Sequence, residues 1–271
     1  MFKNSQTSSS SAEDSQKSSK LSPSEIYNSI KKDGLKELCR PVSALIFSGI
    51  SAGLFISFSF LFTAVLTAAL PDEPWSALIT SMGYTVGFII IILGHLQLFT
   101  ENTITTVIPL FQPFTAHKLY LVARLWLVVF ISNIIGTTIA ALFLNTPDLF
   151  EPAVDAAMLK VAEHVASQDA MSNIIKGIPA GILISALVWI MANMKHRLGI
   201  IFFVTYLMAL GSFSHVIVGS AEMAYAVLHD IAGLGDYFLR FLLPTALGNI
   251  IGGTLIFTLM IHGQVSSDSP Q

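Results

Sequence analysis

The chain has a single cysteine, Cys39, in 271 residues, so no disulfide can close within it and a disulfide-stapled fold is excluded. Charge is scarce as well. Asp, Glu, Lys and Arg make up 11% of the sequence, against roughly 25% in soluble domains. The formal net charge of −3 leaves no basic surplus for nucleic acid. No His-x-x-x-His or Cys-x-x-Cys pattern suggests a metal centre, and no Gly-rich phosphate loop is present, so neither an enzyme nor a cofactor is expected. An Asn-Pro-Ala triplet is missing too, which excludes an aquaporin proper.

What is abundant is apolar. Hydrophobic residues form 53% of the chain and the mean hydropathy is +0.70. Six runs are long enough to cross a bilayer core of about 30 Å as helices, near 42–70, 76–98, 119–144, 174–194, 199–228 and 237–262. The short alternating strands of a β-barrel do not occur. The expectation is an all-α polytopic membrane protein.

Two short stretches recur in order. Ser48-Gly49-Ile50-Ser51-Ala52-Gly53-Leu54-Phe55-Ile56-Ser57 returns as Lys176-Gly177-Ile178-Pro179-Ala180-Gly181-Ile182-Leu183-Ile184-Ser185, identical at six of ten positions. Asn133-Ile134-Ile135-Gly136-Thr137-Thr138 returns as Asn249-Ile250-Ile251-Gly252-Gly253-Thr254. The echoes fall in spans one and four and in spans three and six. Three spans per half reverse the second copy in the membrane, so a 3+3 inverted repeat is expected, residues 41–145 and 174–262, with its path at the midplane.

Basic residues set the orientation. Lys3, Lys17, Lys20, Lys31, Lys32, Lys36 and Arg40 precede span one, and Lys118, Lys195 and Arg197 follow spans two and four. The connection at 145–172 holds Lys160 against five acidic residues. Both termini are therefore expected to be cytoplasmic, with residues 263–271 as a short tail. Ten serines and no apolar core in residues 1–24 argue for a disordered tail without a secretory signal. Ser22-Pro23-Ser24-Glu25 resembles a capping box, and a surface helix over 25–40 is expected after it.

Two spans are interrupted by polar residues, which are costly in lipid. Span two ends in Gly94-His95-Leu96-Gln97-Leu98-Phe99-Thr100-Glu101-Asn102-Thr103, and span five contains Gly211-Ser212-Phe213-Ser214-His215-Val216-Ile217-Val218-Gly219-Ser220-Ala221-Glu222. Each is expected to be an unwound loop between two half-helices. Broken helices at matching places in two halves mark a transport site. Half-helix N-termini favour anions, and a histidine there can carry or release a proton. Glu101 and Glu222 suit either helix caps or a gate. Lys176 suits either a snorkelling position or an ion pair with Glu222. For Asn133 close helix packing is the stronger reading, and for Asn249 packing and solute contact are evenly matched. His95 and Gln97 are expected to tie down the loop, and Trp75, Trp126 and Trp189 to act as apolar or interfacial anchors.

Leu98-Phe99-Thr100-Glu101-Asn102-Thr103, Phe213-Ser214-His215 and Gly248-Asn249-Ile250-Ile251-Gly252-Gly253 together resemble the formate/nitrite transporter family, most closely its YfdC-like inner-membrane branch. The likeness covers roughly residues 26–262. It implies a homopentamer of aquaporin-like subunits in the inner membrane, each conducting small monovalent anions or their weak acids. It also implies that His215 stands at the pore centre, with Thr100 beside it, Leu98 and Phe99 narrowing the path, Phe213 in the second interrupted helix, and Asn249 in span six. The chain departs from the common family pattern at Ser214 (usually Glu), Gly219 and Gly181 (usually Asn), and in having Glu101 and Glu222. A pore for water or neutral solutes, and a non-conducting scaffold or sensor using the serine-rich tail, are the competing functions.

Overall fold

The computed structural model describes residues 21–111 and 113–268. Residues 1–20 of the serine-rich segment and the last three residues of the C-terminal tail lie outside them. All regular structure among the described residues is helical.

Helix α1 (Pro23–Leu38) begins with the expected capping box: Glu25 N–H donates to Ser22 Oγ (3.3 Å) and Ser22 N–H to Glu25 Oε2 (2.7 Å). Tyr27, Ile30, Gly34 and Leu38 share one face and are buried. That face packs on Ile104, Ile108 and Val265. Helices α2 (Val42–Ile56) and α3 (Phe58–Ala69) form one span bent at Ser57, whose Oγ donates back to Gly53 O at 2.8 Å. Gly49-Ile50-Ser51-Ala52-Gly53 has the spacing of a nucleophile elbow, but it lies inside α2 and not on a strand-to-helix turn.

The chain continues through α4 (Ser76–Leu93), the single turn α5 (Asn102–Thr105), α6 (Ala116–Leu144) and α7 (Pro152–Ala166). It ends with α8 (Ala170–Met191), α9 (Leu198–Leu210), α10 (Val216–Leu228) and α11 (Asp236–Ser267). Among the described residues, five helices are long and apolar enough to cross a membrane. The expected span five is two 13-residue helices, α9 and α10, end to end around the second interruption. The first interruption differs from the expectation. Only the single turn α5 and a 3-10 turn at Ile108–Leu110 follow it, because β-branched threonines and Pro109 stop α5 early. The expected plain connection at 145–172 instead holds α7, started by Pro152 and buried through Ala157, Met158 and Ala162.

Helix α2 crosses α6, and α8 crosses α11, where glycines allow the backbones to touch. A Cβ on Gly53 would overlap the Asn133 carbonyl oxygen, and one on Gly181 would overlap that of Asn249. Two π-helical stretches, Asp236–Leu242 and Ile251–Thr258, flank the segment of α11 that carries Asn249. Phe47, Leu127, Phe143, Leu255 and Met260 point outward and give the bundle an apolar exterior.

Candidate functional site

Both interruptions begin in the same way. After Gly94 and Gly211 the chain turns left-handed at His95 (φ 52°) and Ser212 (φ 50°). Leu96 N–H then reaches Ile91 O (3.0 Å), and Phe213 N–H reaches Met208 O (3.1 Å). These are Schellman closures with a non-glycine residue at the left-handed position. Each satisfies carbonyls that a broken helix would otherwise leave bare in an apolar interior.

Two asparagines hold the loops. Asn133 Oδ1 accepts from Phe99 N–H (2.9 Å), while its Nδ2 donates to Gly49 O (2.8 Å) and Gln97 O (2.9 Å). Asn249 Oδ1 accepts from Val216 N–H (3.0 Å), while its Nδ2 donates to Gly177 O (2.9 Å) and Ser214 O (2.9 Å). Both are fully buried, and these three bonds each go to backbone. Trp126 holds the first loop. Its Nε1–H donates to Thr106 Oγ1 (3.0 Å) and its ring packs edge-on against Phe99.

The loops meet at Thr100 and His215, whose Oγ1 and Nε2 are 2.8 Å apart. His215 is also the N-cap of α10, its Nδ1 accepting from Val218 N–H at 3.3 Å. An Nδ1 that accepts leaves the neutral ring's proton on Nε2. Nε2–H therefore donates to Thr100, and the Thr100 hydroxyl keeps its own hydrogen for another acceptor. Phe88 packs edge-on against the His215 ring at 5.0 Å between centroids. Leu98 and Phe99, 1% and 4% exposed, close the first loop beneath Thr100.

A cavity of about 440 Å³ reaches His215 from the end of the bundle that carries α7. Phe213, Ser214, Lys176, Glu222, Tyr84 and Gly219 are among its walls. The cavity thus gathers most of the second-half residues that the sequence singled out. Of the two readings of Lys176, the ion pair with Glu222 does not form: Lys176 Nζ donates to Gln168 Oε1 at 2.7 Å, a residue brought near by the tight turn between α7 and α8. Glu222 does not cap α10, since it lies two turns inside the helix. Glu101 stands before α5 in helical conformation (φ −68°, ψ −31°), so its side chain cannot fold back as a cap, and its Oε1 is buried without a partner. Gly181 is enclosed between α8 and α11 away from the cavity, and the space beside Gly219 is filled by the Phe241 ring.

At the rim, Asp169 caps α8 through Ser172 N–H (2.8 Å), and that bond holds its carboxyl below the usual carboxylate range. On the opposite side, burial pushes the Tyr27 hydroxyl up to about 12. No group of three or more His, Cys, Asp or Glu that could hold a metal occurs among the described residues.

Membrane-length helices, two interrupted spans pinned by asparagines, and a threonine–histidine contact between the loops define a polytopic membrane transport protein. The chain belongs to the formate/nitrite transporter family, whose model matches residues 24–263. It is 39% identical over 244 residues to the inner membrane protein YfdC of Escherichia coli (strain K12), covering 90% of this chain and 79% of that protein. Among solved structures it is similar to an FNT family ion channel (TM-score 0.77, 15% identity, covering 90% of this chain and 99% of that one). It is also similar to a pentameric formate channel with formate bound (TM-score 0.69, 18% identity, 88% and 99%).

Proposed function

We propose that this protein is an inner-membrane channel or transporter for small monovalent anions or their conjugate weak acids, of the formate and nitrite kind. The observation that carries the reading is the Thr100–His215 contact at the inner end of the cavity. There the buried Thr100 O–H is left free for a solute, because the His215 Nε2–H donates to Thr100 Oγ1. Leu98, Phe99 and Phe213 narrow the path on either side. At that contact a solute anion meets a donor and not a full counter-charge, which lets it bind without being held.

Residues 41–262 form the channel domain on this reading, α1 lies on the cytoplasmic surface, and both termini are cytoplasmic. The matched bonding of Asn133 and Asn249 supports the inverted repeat, because corresponding atoms in the two halves do the same work. The apolar exterior suits lipid on one side and sister subunits of a homopentamer on the other.

A second reading, a pore for neutral solutes, is favoured by one observation. Where the family commonly offers Asn, this chain has Gly219 covered by Phe241 and Gly181 sealed between helices. Flux of formate, nitrite, acetate and glycerol into proteoliposomes between pH 5 and 8, with His215→Asn alongside, separates the two. Anion uptake that rises with acidity and fails in the variant supports the weak-acid channel. Glycerol flux alone overturns it.

A further inference from the structure

Asn173 on α8 is buried and lines the cavity that leads to His215. Its Oδ1 accepts from Ser214 Oγ (3.1 Å), between Phe213 and His215 in sequence, and its Nδ2 donates to Arg240 O (2.9 Å), next to Phe241. The second bond answers a local need. In an α-helix the Arg240 carbonyl would accept from residue 244, but Pro244 has no N–H to give, and the chain before it winds as the π-helical stretch Asp236–Leu242. Asn173 therefore ties that turn of α11 to the second interruption.

The turn so held presents Phe241 to the cavity wall, with its ring packed into the main apolar cluster of the bundle. A Cβ on Gly219 would overlap the tip of that ring, so the ring stands there only because residue 219 has no side chain. Gly219 follows His215 by four residues on α10, one turn and roughly 6 Å further out on nearly the same face. Tyr84 reaches the cavity from α4, and the Phe213 ring rests against Gly211. Three aromatic rings from three elements thus edge the approach to His215.

We propose that Phe241 sets the upper size of the acid that reaches His215, with Asn173 as the residue that positions it. The inference rests on the weak-acid channel reading above. With its carboxyl at the Thr100 hydroxyl, a formate or an acetate lies wholly inside the level of the ring. The longer tail of a butyrate extends back toward the level of Gly219 and meets Phe241. Room for that tail comes from shortening the ring or from releasing the turn that carries it. Lys176 and Glu222, in the same cavity, act alike on acids of equal strength and do not set this limit.

The test measures uptake of acetate and butyrate, acids of nearly equal strength, into proteoliposomes, each read above protein-free liposomes, with formate as the check on conduction. Wild-type protein is expected to pass butyrate at about a tenth of the acetate rate or less. Phe241→Ala should raise the butyrate-to-acetate ratio about tenfold, and Phe241→Leu, which keeps an apolar side chain in the core, should raise it by less. Asn173→Asp keeps the acceptor for Ser214 but loses the donor to Arg240 O, and should raise the ratio in the same direction. A merely structural role would lower both fluxes together and leave the ratio unmoved. A wild-type ratio in folded Phe241→Leu or Phe241→Ala overturns the inference alone, as does wild-type protein that conducts formate and passes butyrate as fast as acetate. An unchanged ratio in Asn173→Asp overturns the positioning role. Absence of formate flux in the wild type overturns the channel reading, and this inference with it.

Discussion

Thr100 Oγ1 and His215 Nε2 stand 2.8 Å apart across 115 residues of sequence, and this bond joins the two interruptions of the bundle. Because His215 also caps α10 through Nδ1, its two nitrogens have separate duties. A substitution can remove one duty and keep the other.

His215→Asn retains an oxygen able to accept from Val218 N–H but loses the group that faces Thr100. It is expected to fold with nearly wild-type stability, to lose most anion flux, and to lose the dependence of flux on pH. His215→Ala should lose flux and also about 1 kcal/mol of stability from the missing cap. Thermal melting in detergent beside uptake measurements separates the two effects. Equal melting of both variants would remove the capping role.

Asn133→Ala and Asn249→Ala each delete three buried bonds to backbone and leave donors and acceptors of the loops unsatisfied. Each should cost roughly 2 kcal/mol or more and lower the melting temperature accordingly. A variant of Asn249 that melts like the wild type but conducts nothing would mean that this side chain serves the solute instead.

Gly219→Ala sets a methyl against the Phe241 ring. Overpacking of this kind costs about 1–3 kcal/mol, and Phe241→Leu in the same chain should recover most of it. The pair is in contact, so its energies are not additive, and a double-mutant cycle reads the coupling directly. Additive melting shifts would show that Phe241 does not occupy the space.

Hydrogen bonds from Ser22, first through its backbone and then through its side chain, hold the Glu25 carboxyl below its ordinary value of 4.5. A depressed carboxylate stabilises the folded form above its ordinary range, and that contribution is lost as pH falls through the depressed value. The first turn of α1 should therefore exchange its amide hydrogens faster at acid pH than Glu25-dependent protection allows at neutral pH. The comparison is with Glu25→Ala at each pH. Protection that is equal in both proteins at pH 7 would remove the box as a stabilising element.

The membrane spans were legible because a run of apolar residues long enough to cross lipid has few soluble uses. The interruptions were legible because His95 to Thr103 and Ser212 to Glu222 put polar groups where lipid tolerates none. Asn133 and Asn249 stood out by recurrence, but not by duty, since their partners Phe99 N–H and Val216 N–H meet them only after α6 and α11 pack. Helix α7 was hidden because Asp155, Lys160 and Glu163 interrupt its apolar residues, although Pro152 marked its start. Pairing Lys176 with Glu222 failed because opposite charge in the same region says nothing of reach. Gln168 was nearer, across a turn that charge patterns do not reveal. The left-handed turns at His95 and Ser212 carried no glycine signal, since the glycine in each case stands one residue earlier.

The division of labour within the His215 ring has a bioenergetic consequence. A histidine relays protons through a membrane by taking one at the first nitrogen and releasing one from the second. Here the Nδ1 side is occupied by a helix amide and Nε2 already carries the neutral ring's proton, so neither nitrogen is open to take up another. On the channel reading His215 serves its cargo as a fixed hydrogen-bonding group and not as a proton wire.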